Sequence, residues 1–275
     1  MPRAGLSLLG FMNQDAALNY LRSWCVPVDV SDVALIAEWH AARAARGNPT
    51  PNAGNPAIQP LSTAHPYVQQ FDGKWAPFFA RLEGVSFQIV EIDPLLAYQI
   101  AVETARLDHH CAMLTQPPAI DELLPICLPL ASQSEEIRLA RTPQSIMVRA
   151  KALNVHTTLT GLINSSFLGI EFGSALPFVH VARYNNRCYL TNGFHRAVGI
   201  RSAGATHMPC VFRDLQSVDD IGFRNDGRTF TPSLLESEDP PTLAHFARGR
   251  AHAVTLRSLS RVLHVSWAQY TVPEE

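Results

Sequence analysis

The clearest hydrophobic pattern in this 275-residue chain lies between residues 178 and 214. Short apolar runs at 178–183 and 187–191 are separated by a Tyr-Asn-Asn tripeptide. Asparagine tolerates the left-handed backbone that a tight turn between two strands requires. The pattern therefore predicts a β-hairpin.

The hydrophobic spacing changes after the second of these runs. From Gly193, apolar residues recur at the spacing of a buried helix face as far as Gly204, a residue type common at helix C-termini. Residues 208–212 then return to a mostly apolar run. The sequence predicts that a glycine-led helix and a third strand follow the hairpin.

The start of this predicted helix carries residues suited to an anion. Gly193 lets the backbone approach a ligand closely, and the first N–H groups of a helix lack intrahelical partners. His195 and Arg196 fall in the first turn, where they add a hydrogen-bonding ring and a fixed positive charge. In the alternative interpretation, Gly193 only makes the turn, Arg196 pairs with a surface carboxylate and His195 packs.

These motifs carry a family resemblance. The segment LTNGFHRA at 190–197, followed by AG at 203–204 and MPCV at 208–211, resembles the nucleotide-binding box of the ParB/sulfiredoxin superfamily, which has the form G-x-x-R or G-x-H-R. The strand predicted at 85–95 is similar to the family's entry strand. The resemblance implies an α+β fold, a mixed sheet with a glycine-led phosphate-binding helix, plus an N-terminal helical extension.

The resemblance also implies a ligand. In that family the glycine turn and the helix start hold nucleotide phosphates, so the implied ligand is a nucleoside triphosphate, ATP or CTP, with or without Mg²⁺. The residues to which it assigns binding are Asn192, Gly193, Phe194, His195 and Arg196.

The chain departs from the family pattern at two of these positions. Sulfiredoxins carry their reactive cysteine where this chain has Phe194, which cannot supply a thiolate, so sulfiredoxin activity is not expected. Many relatives have an acidic residue where this chain has Asn192, so binding is better supported than hydrolysis. The segment after Asp214 is broken by glycines and prolines, and it lacks the helix-turn-helix pattern of chromosome-partitioning members.

Glu91 and Asp93 are candidate catalytic carboxylates, with His195 as the candidate acid or base. The two carboxylates share one face at the end of a predicted strand, so they would reach Gly193 if its strand were a neighbour. One of them would then orient an acceptor hydroxyl or Mg²⁺ in phosphoryl transfer.

The alternative gives both carboxylates structural roles. The sequence predicts a helix from Pro94 to about Leu114, and in this alternative Asp93 only caps that helix while Glu91 is a solvated strand residue. Within that helix, His109, His110 and Cys111 are consecutive and point in different directions, so no metal site is predicted there.

Three segments are predicted: a helical extension and linker at 1–80, the family-like core at 85–214, and a C-terminal extension at 215–275 with strands returning to the core. The first contains helices at 13–25 and 31–46 and a proline-rich linker at 47–66. Within the second, residues 117–129 are predicted to be a connection, Ser134 to begin a short helix and 146–153 to be extended.

The C-terminal residues 251–272 alternate apolar and polar side chains, as in a long bent strand or a hairpin with one solvated face. The alternative is a basic and aromatic nucleic-acid surface. Its residues would be Arg257, Arg261, His264, Trp267 and Tyr270.

The composition narrows the class of protein. A hydrophobic content of 47% supports a substantial core, and a formal net charge of −2 gives no overall attraction to nucleic acid or membrane. No apolar run approaches the length of a spanning helix, so no membrane partner and a cytoplasmic location are expected. The five cysteines have no C-x-x-C spacing, which predicts buried free thiols.

These observations favour a nucleotide-binding protein, either a nucleotide hydrolase or a phosphotransferase in bacterial nucleic-acid metabolism or defence. A second hypothesis is a non-catalytic module that binds nucleic acid or protein through a degenerate phosphate pocket. A third is a DNA nuclease, for which Glu91 and Asp93 are the only candidate metal-binding carboxylates. The oligomeric state is not readable from the sequence.

Overall fold

The computed structural model describes residues 2–26, 30–80, 82–131, 137–150, 156–160, 169–173, 177–223, 227–247, 249–258, 261–266 and 268. The chain divides into two compact units. The first unit comprises Met1–Ala131 and Pro177–Arg257, and the second comprises Ser132–Leu176 and Ser258–Glu275. The predicted segment boundaries fall inside the first unit and stay predictions. Helices and several sheets make the protein α+β, as the sequence predicts.

The first unit opens with strand β1 (Arg3–Ser7) and helices α1 (Gln14–Trp24) and α2 (Asp32–Ala45). Both helices match the predicted ones. Asn13 caps α1 by accepting a hydrogen bond from Ala16 N at 2.9 Å, and Ser31 caps α2.

The predicted linker at 47–66 contains a short strand, β2 (Ile58–Pro60). Helix α3 (Pro66–Phe79) follows and leads to β3 (Val85–Glu91). The sequence did not predict α3, whose Phe71 ring is fully buried against the rings of Phe87 and Phe178. This aromatic cluster fixes α3 on the sheet.

Two predictions for residues 93–129 are wrong. The helix expected from Pro94 is replaced by strands β4 (Leu96–Ala97) and β5 (Ala101–Glu103), and α4 (Thr104–Ala112) begins ten residues later. Most residues between 95 and 102 are buried, which is more than one face of a helix can bury. The connection expected at 117–129 contains helix α5 (Ile120–Cys127) despite its internal proline.

The described parts of the second unit contain strands only. They are β6 (Ile137–Thr142), β7 (Ser145–Ala150), β8 (His156–Thr160) and β9 (Gly169–Gly173), joined by β14 (Arg261–Ser266) from the chain's end. The predicted strand at 146–153 corresponds to β7. The first residues of the helix predicted to begin at Ser134 lie outside the described residues. The residues that follow them form strand β6.

The segment 178–214 folds as predicted, into the hairpin β10 (His180–Tyr184) and β11 (Arg187–Asn192), helix α6 (Phe194–Ser202) and β12 (His207–Asp214). Asn185 and Asn186 adopt positive φ in the turn, as a tight hairpin requires. The short helix α7 (Pro232–Leu235) and strand β13 (His252–Leu256) complete the first unit.

The described residues of the first unit form two sheets. The larger has the order β2-β3-β12-β10-β11-β4, with parallel pairs β12–β10 and β11–β4 and antiparallel pairs elsewhere. The smaller has the order β13-β1-β5, so the predicted returning strand pairs with the start of the chain. In the second unit, β14-β7-β6 form one antiparallel sheet and β8-β9 another. Among the described residues, no helix is both long and apolar enough to cross a bilayer.

Candidate functional site

The turn between β11 and α6 has the geometry of an anion site. Gly193 adopts the left-handed conformation with φ of 97°, and a Cβ at this position would lie 2.9 Å from Val179 Cγ2. The first hydrogen bond of the helix runs from Ala197 N to the Gly193 oxygen at 2.9 Å. The N–H groups of residues 194–196 therefore have no partner within the helix.

Two of the residues predicted to bind nucleotide support the turn instead. The Asn192 side-chain amide donates a hydrogen bond to the Phe178 carbonyl oxygen. The Phe194 ring is buried and packs edge-on against Tyr98, with ring centroids 5.3 Å apart. The Tyr98 hydroxyl in turn donates to the Thr191 carbonyl oxygen at 2.7 Å. These contacts hold the turn in place and leave His195 and Arg196 as its half-buried polar side chains.

Helix α4 packs closely on α6 because Gly199 lacks a side chain. A Cβ at Gly199 would lie 2.9 Å from both the Leu107 carbonyl oxygen and His110 Cβ. This approach brings the polar residues of α4 beside the first turn of α6, where they act electrostatically on His195 and Arg196. The result is a group of positive and titratable side chains, here called the basic cluster: Arg106, His109, His110, His195 and Arg196.

Burial and mutual repulsion shift the pKa values in the basic cluster. Burial, followed by the positive charges of Arg106 and Arg196, lowers the pKa of His195 to about 3. Burial and the charge of Arg196 lower the pKa of His110 to about 4. Burial also lowers the pKa of Arg196. Both histidines are therefore neutral at pH 7, while the arginines remain charged.

Few carboxylates among the described residues balance the positive charge of the basic cluster. Glu103 lies 3.6 Å from Arg106 Nε but is shared with Arg3, to which it is bound at 2.9 Å. Within the part of the chain that the structure describes, Arg196 forms no hydrogen bond or ion pair, and His110 Nδ1 is buried without a partner. An anion at the α6 N-terminus would supply the missing charge.

The two candidate catalytic carboxylates lie elsewhere. Asp93 accepts two hydrogen bonds from the Arg201 guanidinium, near the opposite end of α6, and Glu91 Oε2 accepts one from Ala57 N at 3.1 Å. The condition that their strand neighbours the Gly193 strand is not met, because β12 and β10 lie between β3 and β11. Three inter-strand spacings amount to about 14 Å. The structure therefore does not bring Glu91 and Asp93 together with His195.

Two clefts of the first unit lie away from the turn. One, of about 340 Å³, is lined by Gln59, Pro117, Thr206 and His207 among others. The other, of about 870 Å³, lies along Pro60–Ala64 and the start of β3. Neither is lined by residues 192–196 or by the basic cluster, so the turn does not line either of these clefts.

Burial keeps the thiols of three cysteines in the first unit protonated. Burial raises the pKa of Cys127 and of Cys188 to about 12, and it raises that of Cys210 well above its ordinary value. All three are buried and free, as predicted, whereas Cys111 on α4 is only half-buried. Cys127 is the one that interacts electrostatically with Arg196, but its thiol stays protonated.

The described residues contain no group of three or more His, Cys, Asp and Glu side chains that could hold a metal ion. Of the residues in the alternative basic and aromatic surface of the tail, Arg257 donates to the carbonyl oxygens of Cys25 and Arg22. Trp267 and Tyr270 lie outside the described residues.

Comparison with protein-family models, curated proteins and solved structures finds no match. The site therefore has to be interpreted from its own geometry. Sequence reasoning missed Arg106 and His110 as neighbours of the turn. The only local signal was the glycine at 199, on the α6 face where α4 packs.

Proposed function

We propose that the N-terminus of α6 binds the phosphates of a nucleotide. The observation that supports this most is Arg196, a half-buried guanidinium in the first turn of a glycine-led helix, with no ion pair among the described residues. A buried charge without a partner is costly, and a phosphate would remove that cost. The ParB/sulfiredoxin resemblance supports ATP or CTP as the nucleotide, and it remains part of the proposal.

Each group at the turn has a chemical role in this proposal. The free N–H groups of residues 194–196 donate to one phosphate, at the positive end of the helix dipole. Arg196 offers two parallel donors to the same group or its neighbour, and Arg106 adds a second positive charge. His195 and His110 are neutral at pH 7, so each offers one N–H donor without a proton to transfer.

The geometry supports binding better than turnover. A general base works best with a pKa near the working pH, and His195, with a pKa of about 3, is a weak base. Asp93 is held by Arg201, and Glu91 is bound to the main chain of residue 57. We therefore favour a non-catalytic nucleotide-binding module over a hydrolase, a phosphotransferase or a nuclease.

A ligand screen tests this proposal. Thermal unfolding of the full chain is followed with ATP, CTP and inorganic tripolyphosphate, each with and without Mg²⁺, and phosphate release is measured in the same samples. We expect at least one polyphosphate to raise Tm without phosphate release. Release above the background of Arg196→Gln would contradict the non-catalytic role, and no shift with any of the ligands would contradict the site.

A further inference from the structure

The sheet β14-β7-β6 of the second unit differs in charge from the chain as a whole. Its three strands contain Arg138, Arg141, Arg149 and Arg261 and no aspartate or glutamate. The chain overall has a formal net charge of −2. The second unit as a whole has five Lys and Arg and five Glu residues, so its positive charge is concentrated in this sheet. Such a concentration is typical of a surface that binds a polyanion.

The strand register determines which of these side chains share a face, because side chains alternate across a sheet. On β7, Arg149 lies opposite Arg138 of β6 and Val262 of β14. Met147 lies opposite Ala140 and His264 in the same way. We call this surface the arginine face, and its two rows are Val262, Arg149 and Arg138, then His264, Met147 and Ala140.

The arginine face is open to solvent. All six of its side chains are exposed, including 43% of Met147 and 47% of Val262. On the other face of β7, Val148 is only 2% exposed. Its neighbour on β6, Leu139, is 49% exposed, so among the described side chains the other face is covered only at β7, while the arginine face is exposed on all three strands.

The arginine face places like charges and exposed apolar side chains next to each other. Arg138 and Arg149 lie directly opposite each other, and like charges in that position destabilise a sheet. The exposed Met147 and Val262 side chains beside them keep apolar surface in contact with water, which is unfavourable. Both features become favourable when a ligand brings phosphates and apolar rings together.

We infer that the arginine face binds single-stranded nucleic acid. Each guanidinium can form a bidentate hydrogen-bonded pair with a backbone phosphate. Met147 and Val262 offer apolar contact to unstacked bases, which a duplex keeps in its interior. This site lies in the second unit and does not depend on the nucleotide proposed for the α6 turn.

A salt-dependent titration tests the inference. The full chain is titrated into fluorescently labelled poly(dT), poly(U) and a DNA duplex, and anisotropy is read between about 50 and 200 mM salt. We expect single strands to bind more tightly than the duplex. Arg138→Gln and Arg149→Gln should each weaken binding on the order of tenfold and lower the salt slope by about 0.7. Met147→Ala should weaken binding to single strands and leave binding to the duplex unchanged.

Arg141→Gln is the matched control, because Arg141 is an exposed arginine of the same sheet whose partner Ile146 places it on the other face. It should leave affinity and salt slope close to those of the parent. Circular dichroism melts confirm that each variant is folded. An equal loss in Arg141→Gln, tighter binding to the duplex, or binding of a polyglutamate peptide in place of nucleic acid would each overturn the inference.

Discussion

The two ends of α6 use arginine in opposite ways. At the C-terminal end, Arg201 forms two hydrogen bonds with the Asp93 carboxylate. At the N-terminal end, Arg196 is half-buried beside Arg106 and has no carboxylate partner among the described residues. Each end also has a glycine with positive φ, 97° at Gly193 and 96° at Gly204. The two ends therefore share a glycine with positive φ and differ in charge balance.

This difference separates stability from binding. A paired arginine near a helix C-terminus stabilises the folded chain through its carboxylate and the helix dipole. An unpaired arginine near the N-terminus, with a second arginine close by, lowers stability unless an anion is present. The comparison therefore indicates that the N-terminal end of α6, where the charge of Arg196 is not balanced by a carboxylate, is the end suited to binding an anion.

The largest expected effect concerns the two glycines. Gly193→Ala should lower the free energy of unfolding by about 2–4 kcal/mol, because positive φ is strained and the new Cβ would meet Val179 Cγ2 at 2.9 Å. Gly204→Ala should cost only the backbone strain, about 1–2 kcal/mol, since its Cβ would lie 3.7 Å from the closest atoms, those of Pro117. Urea denaturation measures both, and equal losses would show that the Gly193 turn is looser than described.

A smaller effect is expected from the two arginines on stability without ligand. Arg201→Gln should cost about 0.5–1 kcal/mol, because the pair it breaks is partly exposed, with 47% of the Asp93 side chain accessible. Arg196→Gln should leave Tm unchanged or raise it, since it removes a poorly compensated charge. If Arg196→Gln destabilised the protein more than Arg201→Gln, the charge-balance comparison would fail.

A separate test of the basic cluster concerns pH. The folded-state pKa of His110 is about 4 and that of His195 about 3, both below the ordinary value of 6.5. The unfolded chain therefore binds more protons between these values, so stability should fall as pH drops from about 6.5 towards 4. His180 and His245, with pKa values also lowered to about 4, add to the same decline.

Comparing the parent with His110→Gln isolates the contribution of the basic cluster to this pH dependence. The decline in Tm between pH 6.5 and 4 should be shallower in the variant. Because an anion favours protonated histidine, stabilisation by tripolyphosphate should grow in the parent over the same range. A decline of equal steepness in both proteins would show that His110 does not contribute to the pH dependence of stability.

Local sequence signals predicted the turn itself. Asparagines at a hairpin turn and glycines at both ends of a helix act through the backbone of their own neighbours, so residues 178–214 could be predicted without the rest of the chain. The N-terminal helices could be predicted in the same way, from Asn13 and Ser31 as caps.

Long-range packing accounts for what the sequence did not reveal. The contact of Gly199 with His110 joins residues far apart in the chain, and no local pattern predicts it. Strand order had the same consequence for Glu91 and Asp93, because only the assembled sheet shows that β12 and β10 separate them from the turn. Prolines at 77 and 125 also concealed two helices, α3 and α5.

The most direct test of the central claim is isothermal titration calorimetry of tripolyphosphate and of the nucleotide that gives the larger Tm shift. The parent, Arg196→Gln and Arg201→Gln are compared at pH 7. We predict that Arg196→Gln weakens binding of both ligands by roughly ten- to a hundredfold, as expected for a lost charge-assisted hydrogen bond, while Arg201→Gln binds like the parent. Identical isotherms for all three proteins, or a loss confined to Arg201→Gln, would contradict the assignment of the phosphate site to the N-terminus of α6.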